Sequence, residues 1–243
     1  MSRTIHTKGF DSFTTSTYEE GIDDFRAALE ACGHQVEHQP CHVAADRFPD
    51  TPEKLEPFDV VVLSDIGSNT LLLPSRTFIG AEAGSNRLVT LRDWVADGGA
   101  LAMIGGYLSF TGIEARANYR MTALAEALPV ELELGDDRHE TPEGAAICVA
   151  DLDHPITQGM DATWPVVLGF QRLAAKPDAQ VLAAIDRWPA LVVGRYGRGR
   201  VLAFASDIGP HWAPREFVEW QGYRQLWGRA MAWLANESRA PAG

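Results

Sequence analysis

Residues 59–67 read Asp59-Val60-Val61-Val62-Leu63-Ser64-Asp65-Ile66-Gly67. A strand with one wet face alternates apolar and polar residues, so this unbroken aliphatic run predicts a strand covered on both faces. It ends in Ser64-Asp65-Ile66-Gly67, and the same tetrapeptide returns at Ser206 to Gly209 after a second apolar run, Val201 to Ala205. A third such pattern, Ala100 to Ile104, leads straight into Gly105-Gly106. In an open α/β sheet the ligand crevice lies outside the carboxyl ends of the strands, so all three segments point to one place.

Working outward, helix and strand signals alternate. Tyr18 to Ala31 places Ile22, Phe25, Ala28 and Leu29 on one helix face, with Gly33 as the stop. Val36 to Gln39 is a short strand candidate. Leu88 to Asp97 is helical, closed by Gly98-Gly99, and Met121 to Leu128 is a helix stopped by Pro129. Asp136 to Gly144 reads as an acidic surface loop. Strands are expected at Ala146 to Ala150, Val181 to Ile185, Leu191 to Arg195 and Val201 to Ala205, with Gly194 to Arg200 forming a hairpin-like turn. A last helix runs from Pro214 to Ala235, carrying Phe217, Trp220, Tyr223, Trp227, Met231 and Leu234 at helical spacing. The alternation predicts an α/β fold with a three-layer, doubly wound, mostly parallel sheet. Residues 1–243 are expected to form a single domain, with a loose tail at 236–243.

Composition narrows the function. The 243 residues carry 21 Lys plus Arg against 33 Asp plus Glu, a net charge of -12, and no basic run breaks that balance. Such a surface repels phosphate backbones and anionic lipid, which excludes nucleic acid and membrane as partners. No stretch has the ~20 consecutive apolar residues of a membrane span, and the first residues do not form a signal peptide, so a cytoplasmic location is expected. The three cysteines, Cys32, Cys41 and Cys148, are scattered without a CxxC pair, which suits a reducing compartment. The partner expected is a small molecule. Assembly of the chain as a homo-oligomer is open.

Candidate chemistry gathers at the strand ends. Asp207 and His211 lie four residues apart around a Gly-Pro turn and are followed by Trp212, a spacing that lets Asp207 orient His211 as an acid/base pair. The plainer alternative has Asp207 bonded to turn amides and His211 in an ordinary loop. Gly105-Gly106-Tyr107-Leu108-Ser109 lets the backbone turn sharply toward a ligand, with Ser109 placed as a nucleophile or, more plainly, as a cap; the GxSxG pattern is absent. Asp65 is either a helix cap or a ligand contact. Asp65 and Asp207, joined by His42 or His211, would make an oxygen and nitrogen metal site, but no ligand spacing supports one, and no cofactor is expected.

Several pieces together resemble the class I glutamine amidotransferase-like family. They are Gly98-Gly99 with Gly105 to Phe110, Leu128-Pro129-Val130, Asp136-Asp137-Arg138 and His154-Pro155, together with Gly199-Arg200, Ser206-Asp207, Pro210-His211-Trp212 and Trp220-x-Gly222-Tyr223. A looser likeness to ThuA-like proteins runs through His154-Pro155-Ile156 and the final strand. The resemblance implies a flavodoxin-like sheet. It also implies a nucleophilic cysteine on the turn after the central strand, and here Gly105 to Phe110 holds none. The family pattern further begins with a buried strand, whereas this chain opens Met1-Ser2-Arg3 with no apolar run, so a start further upstream is expected. Two functions remain open. One is a hydrolase or lyase acting on a small polar metabolite with His211, Asp207 and Ser109 as catalytic residues. The other is a non-catalytic module binding through Asp65, Gly105, Gly106, Tyr107 and Trp212.

Overall fold

The computed structural model describes residues 20–235 in full and, as backbone alone, strands β1 (Ser2–Lys8) and β2 (Asp11–Thr17), which pair with each other antiparallel. The tail expected to be loose lies outside the described residues. The remaining strands are β3 (Val60–Ser64), β4 (Ala100–Ile104), β5 (Val130–Glu131), β6 (Arg138–Val149), β7 (Thr163–Gln171), β8 (Ala174–Ala175), β9 (Gln180–Ile185), β10 (Trp188–Tyr196) and β11 (Gly199–Phe204). The helices are α1 (Asp23–Glu30), α2 (Cys41–Arg47), α3 (Pro52–Leu55), α4 (Ser68–Leu72), α5 (Ser75–Phe78), α6 (Arg87–Ala96), α7 (Leu124–Ala127), α8 (Arg215–Val218) and α9 (Gln221–Ala235).

The fold is α/β, built on a seven-stranded sheet in the order β3-β4-β11-β10-β9-β6-β7. That sheet is mixed, which corrects the expectation of a mostly parallel one. Only β3, β4 and β11 run parallel; every later pairing is antiparallel. For β9, β10 and β11 the reason is connection length. Parallel neighbours need a crossover of a dozen residues or more, and α6 lies in the stretch between β3 and β4. Between β9 and β10 stand only Asp186 and Arg187, and between β10 and β11 only Gly197 and Arg198, links that can close nothing but hairpins. Asp186 (φ 50°) and Gly197 (φ 58°) take the left-handed backbone such turns require.

Other expectations shift with the pairing. Val36 to Gln39 pairs with nothing and forms no strand. The acidic segment from Asp136 is not a surface loop beyond Asp137: Arg138 onward is strand, paired Arg138↔Gln171 to Glu140↔Gly169 and bulged between Glu140 and Ala145. Backbone pairing with β7, a strand unforeseen in the sequence, overrides the polar composition. Of the helix expected from Tyr18 to Ala31, the first two residues lie outside the described ones, residues 20–22 are not helical and α1 begins at Asp23, while Met121 to Leu128 shrinks to α7. The last helix is broken between Val218 and Gln221, where the Trp220 indole folds onto Gly222; a Cβ there would lie 2.1 Å from that ring.

β4 is buried along its whole length, as its aliphatic run requires. The core continues into α9, whose Trp227 meets Phe25 of α1 and Phe204 of β11 edge-on, each at 5.2 Å. This packing fixes the ends of β3, β4 and β11 in one row, with Ser64↔Ile104 and Phe204↔Ile104 in register.

Candidate functional site

Immediately beyond that row come Asp65, Gly105-Gly106 and Ser206-Asp207. The chain leaves β3 through Asp65 in the left-handed region (φ 45°), a conformation that Asp tolerates better than most residues. Asp65 does not cap α4, whose N-cap is Gly67 with no side-chain bond. Its carboxylate instead accepts the Leu108 N–H at 2.6 Å, while its own N–H donates to the Ser109 hydroxyl at 3.0 Å. Ser109 is thus buried and tied to β3; it is neither a cap of the next segment nor raised on an exposed elbow. Gly106 (φ 135°) passes so close to Asp65 that a Cβ would lie 2.9 Å from the Asp65 Cβ.

The loop that follows has no regular sheet or α-helix as far as Ala123, and side chains hold it in shape. Asp137 is fully buried, and its two oxygens accept from Thr111 N–H (3.0 Å) and Gly112 N–H (2.8 Å). Burial pushes this carboxyl up to about 6, opposed by those two amides and reinforced by Asp136. Asp136 accepts from Glu114 N–H and pairs with Arg138, whose bond holds the Asp136 carboxyl well below the usual carboxylate range. Gln171, also fully buried, bonds the peptide of Gly106.

Asp207 is 7% exposed, and its Oδ1 accepts the Ile208 N–H at 2.7 Å. Burial first, then the charge of Asp65, raises this carboxyl to about 7, against the pull of the Ile208 and Gly209 amides. The turn is pinned from α9: the Tyr223 hydroxyl donates to the Ile208 carbonyl at 2.5 Å. Asp207 and His211 make no hydrogen bond with each other, so the expected orienting pair is not formed. The exposed His211 lies against the Tyr107 ring at 4.5 Å between centroids. Arg138 sits 4.9 Å over the same ring. Trp212 is 2% exposed, meets Tyr107 edge-on and donates its indole N–H to Glu140 at 2.9 Å, which leaves it no open face for stacking on a ligand.

The structure therefore gathers Asp65, Gly105, Gly106, Ser109 and Asp207 and sets Tyr107 and His211 on the rim. Gln171, Asp137 and Tyr223 were not singled out for the site in the sequence. Only the Tyr223 motif and the Asp136-Asp137-Arg138 triplet offered a signal, and Gln171, inside an unforeseen strand, offered none. Among the described residues no group of three or more His, Cys, Asp or Glu is placed to hold a metal ion, and no helix is long and apolar enough to cross a membrane.

The sequence profile of the family described as "Putative glutamine amidotransferase" matches residues 1–236. No curated protein matches the chain. Among solved structures, the cytoplasmic protein STM1381 from Salmonella typhimurium LT2 is 47% identical, and the cytoplasmic protein STM3548 from Salmonella typhimurium is 43% identical. Both superpose with TM-score 0.92 over 96% of this chain and 94% of theirs. A "Putative thua-like protein" from Parabacteroides merdae ATCC 43184 is 12% identical with TM-score 0.52, over 87% of this chain and 83% of that one, a likeness of fold alone.

Proposed function

The chain belongs to the family described as "Putative glutamine amidotransferase", and from that premise we propose that the crevice beyond β3, β4 and β11 binds a small polar molecule and acts on it as a hydrolase or lyase without a cysteine nucleophile. Asp207 is the acid/base group, and the carboxylate it works against is Asp65 rather than the imidazole of His211. The observation that carries this reading is a buried carboxyl at a strand end raised to about 7, the range in which one group both gives and takes protons at neutral pH. A protonated Asp207 beside a charged Asp65 divides the roles of donor and acceptor, as two carboxyls in unlike surroundings do. His211, on the rim against Tyr107, is placed to meet the ligand from the solvent side. The Salmonella proteins are named as cytoplasmic, and we extend that location to this chain.

One observation favours the second reading, a binding module without chemistry: Asp207 already accepts turn amides, as a purely structural Asp would. Asp207→Asn separates the two, because an amide oxygen still accepts from Ile208 while the titrating group is lost. Thermal shifts against neutral amides, polyols and hydroxy acids identify a ligand, and NMR of that ligand then follows turnover. The catalytic reading expects melting temperature and ligand shift to persist while turnover falls about 10²-fold or more. Equal turnover in the variant, or none in wild type, overturns it.

A further inference from the structure

Gln171 closes β7 with its side chain fully buried. Its carboxamide meets both peptide groups of Gly106: Nε2 donates to the Gly106 carbonyl at 2.5 Å, and Oε1 receives the Gly106 N–H at a long 3.4 Å. Its main chain is locked beside the site as well, since Gln171 N–H donates to the Ala205 carbonyl at 2.8 Å. Gly105 has no space for a side chain here; a Cβ would lie 2.5 Å from Gln171 Oε1 and 2.5 Å from the Ala205 carbonyl oxygen. Of the two side-chain bonds, the short one to the Gly106 carbonyl sets the plane of the peptide joining Gly106 to Tyr107.

That plane decides where the next donor points. The C=O and N–H of a trans peptide point in opposite directions, and among the described residues no peptide is cis. With the Gly106 carbonyl turned to Gln171, the Tyr107 N–H is turned away from it. The neighbouring amides are all taken. Gly105 N–H donates to the Phe204 carbonyl, Gly106 N–H to Gln171, Leu108 N–H to Asp65 and Ser109 N–H to the Gly106 carbonyl. In this run Tyr107 N–H alone makes no hydrogen bond among the described residues. Tyr107 is partly exposed, so its N–H is open to solvent or to a bound molecule, and it stands at the ends of the parallel strands, where open α/β sheets bind their ligands.

We propose that the Tyr107 N–H is the ligand-binding donor of the crevice, donating to an uncharged oxygen of a small polar molecule, and that Gln171 is the positioning residue that aims it. The oxygen is uncharged, as in an amide or a hydroxyl, because the Asp65 carboxylate stands beside it and repels an anion. This rests on the reading that the crevice takes a small polar ligand, but it does not use the protonation of Asp207.

Amide NMR of the 15N-labelled full chain tests it, with acetamide as the probe and acetate in parallel. The Tyr107 amide proton is expected to shift with acetamide, to shift less with acetate, and to show no internal hydrogen-bond protection from solvent exchange, while Gly106 stays unmoved. Gln171→Met, which keeps length but loses both hydrogen bonds, is expected to abolish the Tyr107 shift. A Tyr107 amide that is protected, fails to move with acetamide or moves as much with acetate overturns the donor assignment. An unchanged shift in Gln171→Met overturns the positioning role. Should that variant fail to fold, the wild-type shifts and exchange still decide the donor. Failure here with a titrating Asp207 sinks this inference alone; loss of the Asp207 titration leaves it standing.

Discussion

Asp207 is the residue at which the proposed chemistry and stability meet. An Asp carboxyl in an unfolded chain titrates near about 3.9, whereas in the fold Asp207 is pushed up to about 7. Between those values the folded protein keeps a proton that the unfolded chain has released. The group's stabilising contribution is therefore full below the unfolded value, is lost as pH rises, and is gone once pH has passed the folded value. Within that window the slope from one such group is about 1.4 kcal/mol per pH unit. Other groups titrate there too, Asp137 among them at about 6, so the comparison must be made against Asp207→Asn. We expect urea denaturation at about pH 5 and about pH 7.5 to show wild type losing stability relative to the variant as pH rises. A difference equal at both values would mean that Asp207 is ionised throughout. The sequence made Asp207 visible because the Ser-Asp-Ile-Gly echo marks strand ends. The four-residue spacing suggested His211 as its partner, to which no hydrogen bond runs, and spacing along the chain says nothing about Asp65, which follows a different strand and whose charge bears on Asp207.

At the scale of elements, the segment from Gly105 to Asn118 is a loop that other elements hold in shape. It carries Phe110, Glu114, Ala115 and Asn118 at positive φ, besides Gly106 and Gly112. A backbone so far from helix or strand geometry persists only where its surroundings over-determine it. Asp65 from the end of β3, Asp137 from just before β6 and Gln171 from the end of β7 supply those constraints. Asp137→Ala removes the acceptors of two buried amides, each worth about 1–3 kcal/mol when left unpaired. We expect that much loss in urea denaturation and faster hydrogen exchange at Thr111 and Gly112, with the amides of β10 unaffected. Exchange that rises equally across the sheet would point to global loosening instead. Strands β4 and β11 were legible because burial on both faces writes itself as continuous aliphatic sequence; β3, at the sheet edge, carries the same kind of run although Val60 and Val62 on one face are only partly buried, so the two-sided cover expected of it is incomplete. β7 was not legible, for Thr163–Gln171 holds Pro165 and Gly169 and no strand was expected there, although Gly169 serves as the seat of the Trp212 indole, where a Cβ would lie 2.2 Å from Trp212 Nε1.

Over the whole molecule, the ends of the parallel strands carry the proposed site, and β7 from the antiparallel edge supplies Gln171, whose N–H meets the Ala205 carbonyl just beyond β11. Alternating apolar runs and helices made the α/β class readable, while the two-residue links that turn half the sheet antiparallel were on view in the sequence but outweighed by the strand patterns. That layout also decides what the family's chemistry can be in this chain. The turn just beyond β4 is Gly105-Gly106-Tyr107, and among the described residues no cysteine reaches it. Cys32 follows α1 with its Sγ 3.8 Å from the Arg224 carbonyl, and Cys148 sits exposed near the end of β6. Cys41 comes nearest, its Sγ 3.8 Å from the Asp65 carbonyl. Burial and then the Asp65 charge raise that thiol, which favours the protonated and poorly nucleophilic form. A working nucleophile needs the opposite surroundings, a lowered value beside a cation or an adjacent base. We therefore expect no glutamine hydrolysis attributable to cysteine, and a chain carrying Cys32→Ser, Cys41→Ser and Cys148→Ser together should keep the ligand response and turnover of wild type. Ammonia release from glutamine that disappears in the Cys41→Ser protein would show instead that Asp65 and Cys41 rearrange on binding into a nucleophilic pair.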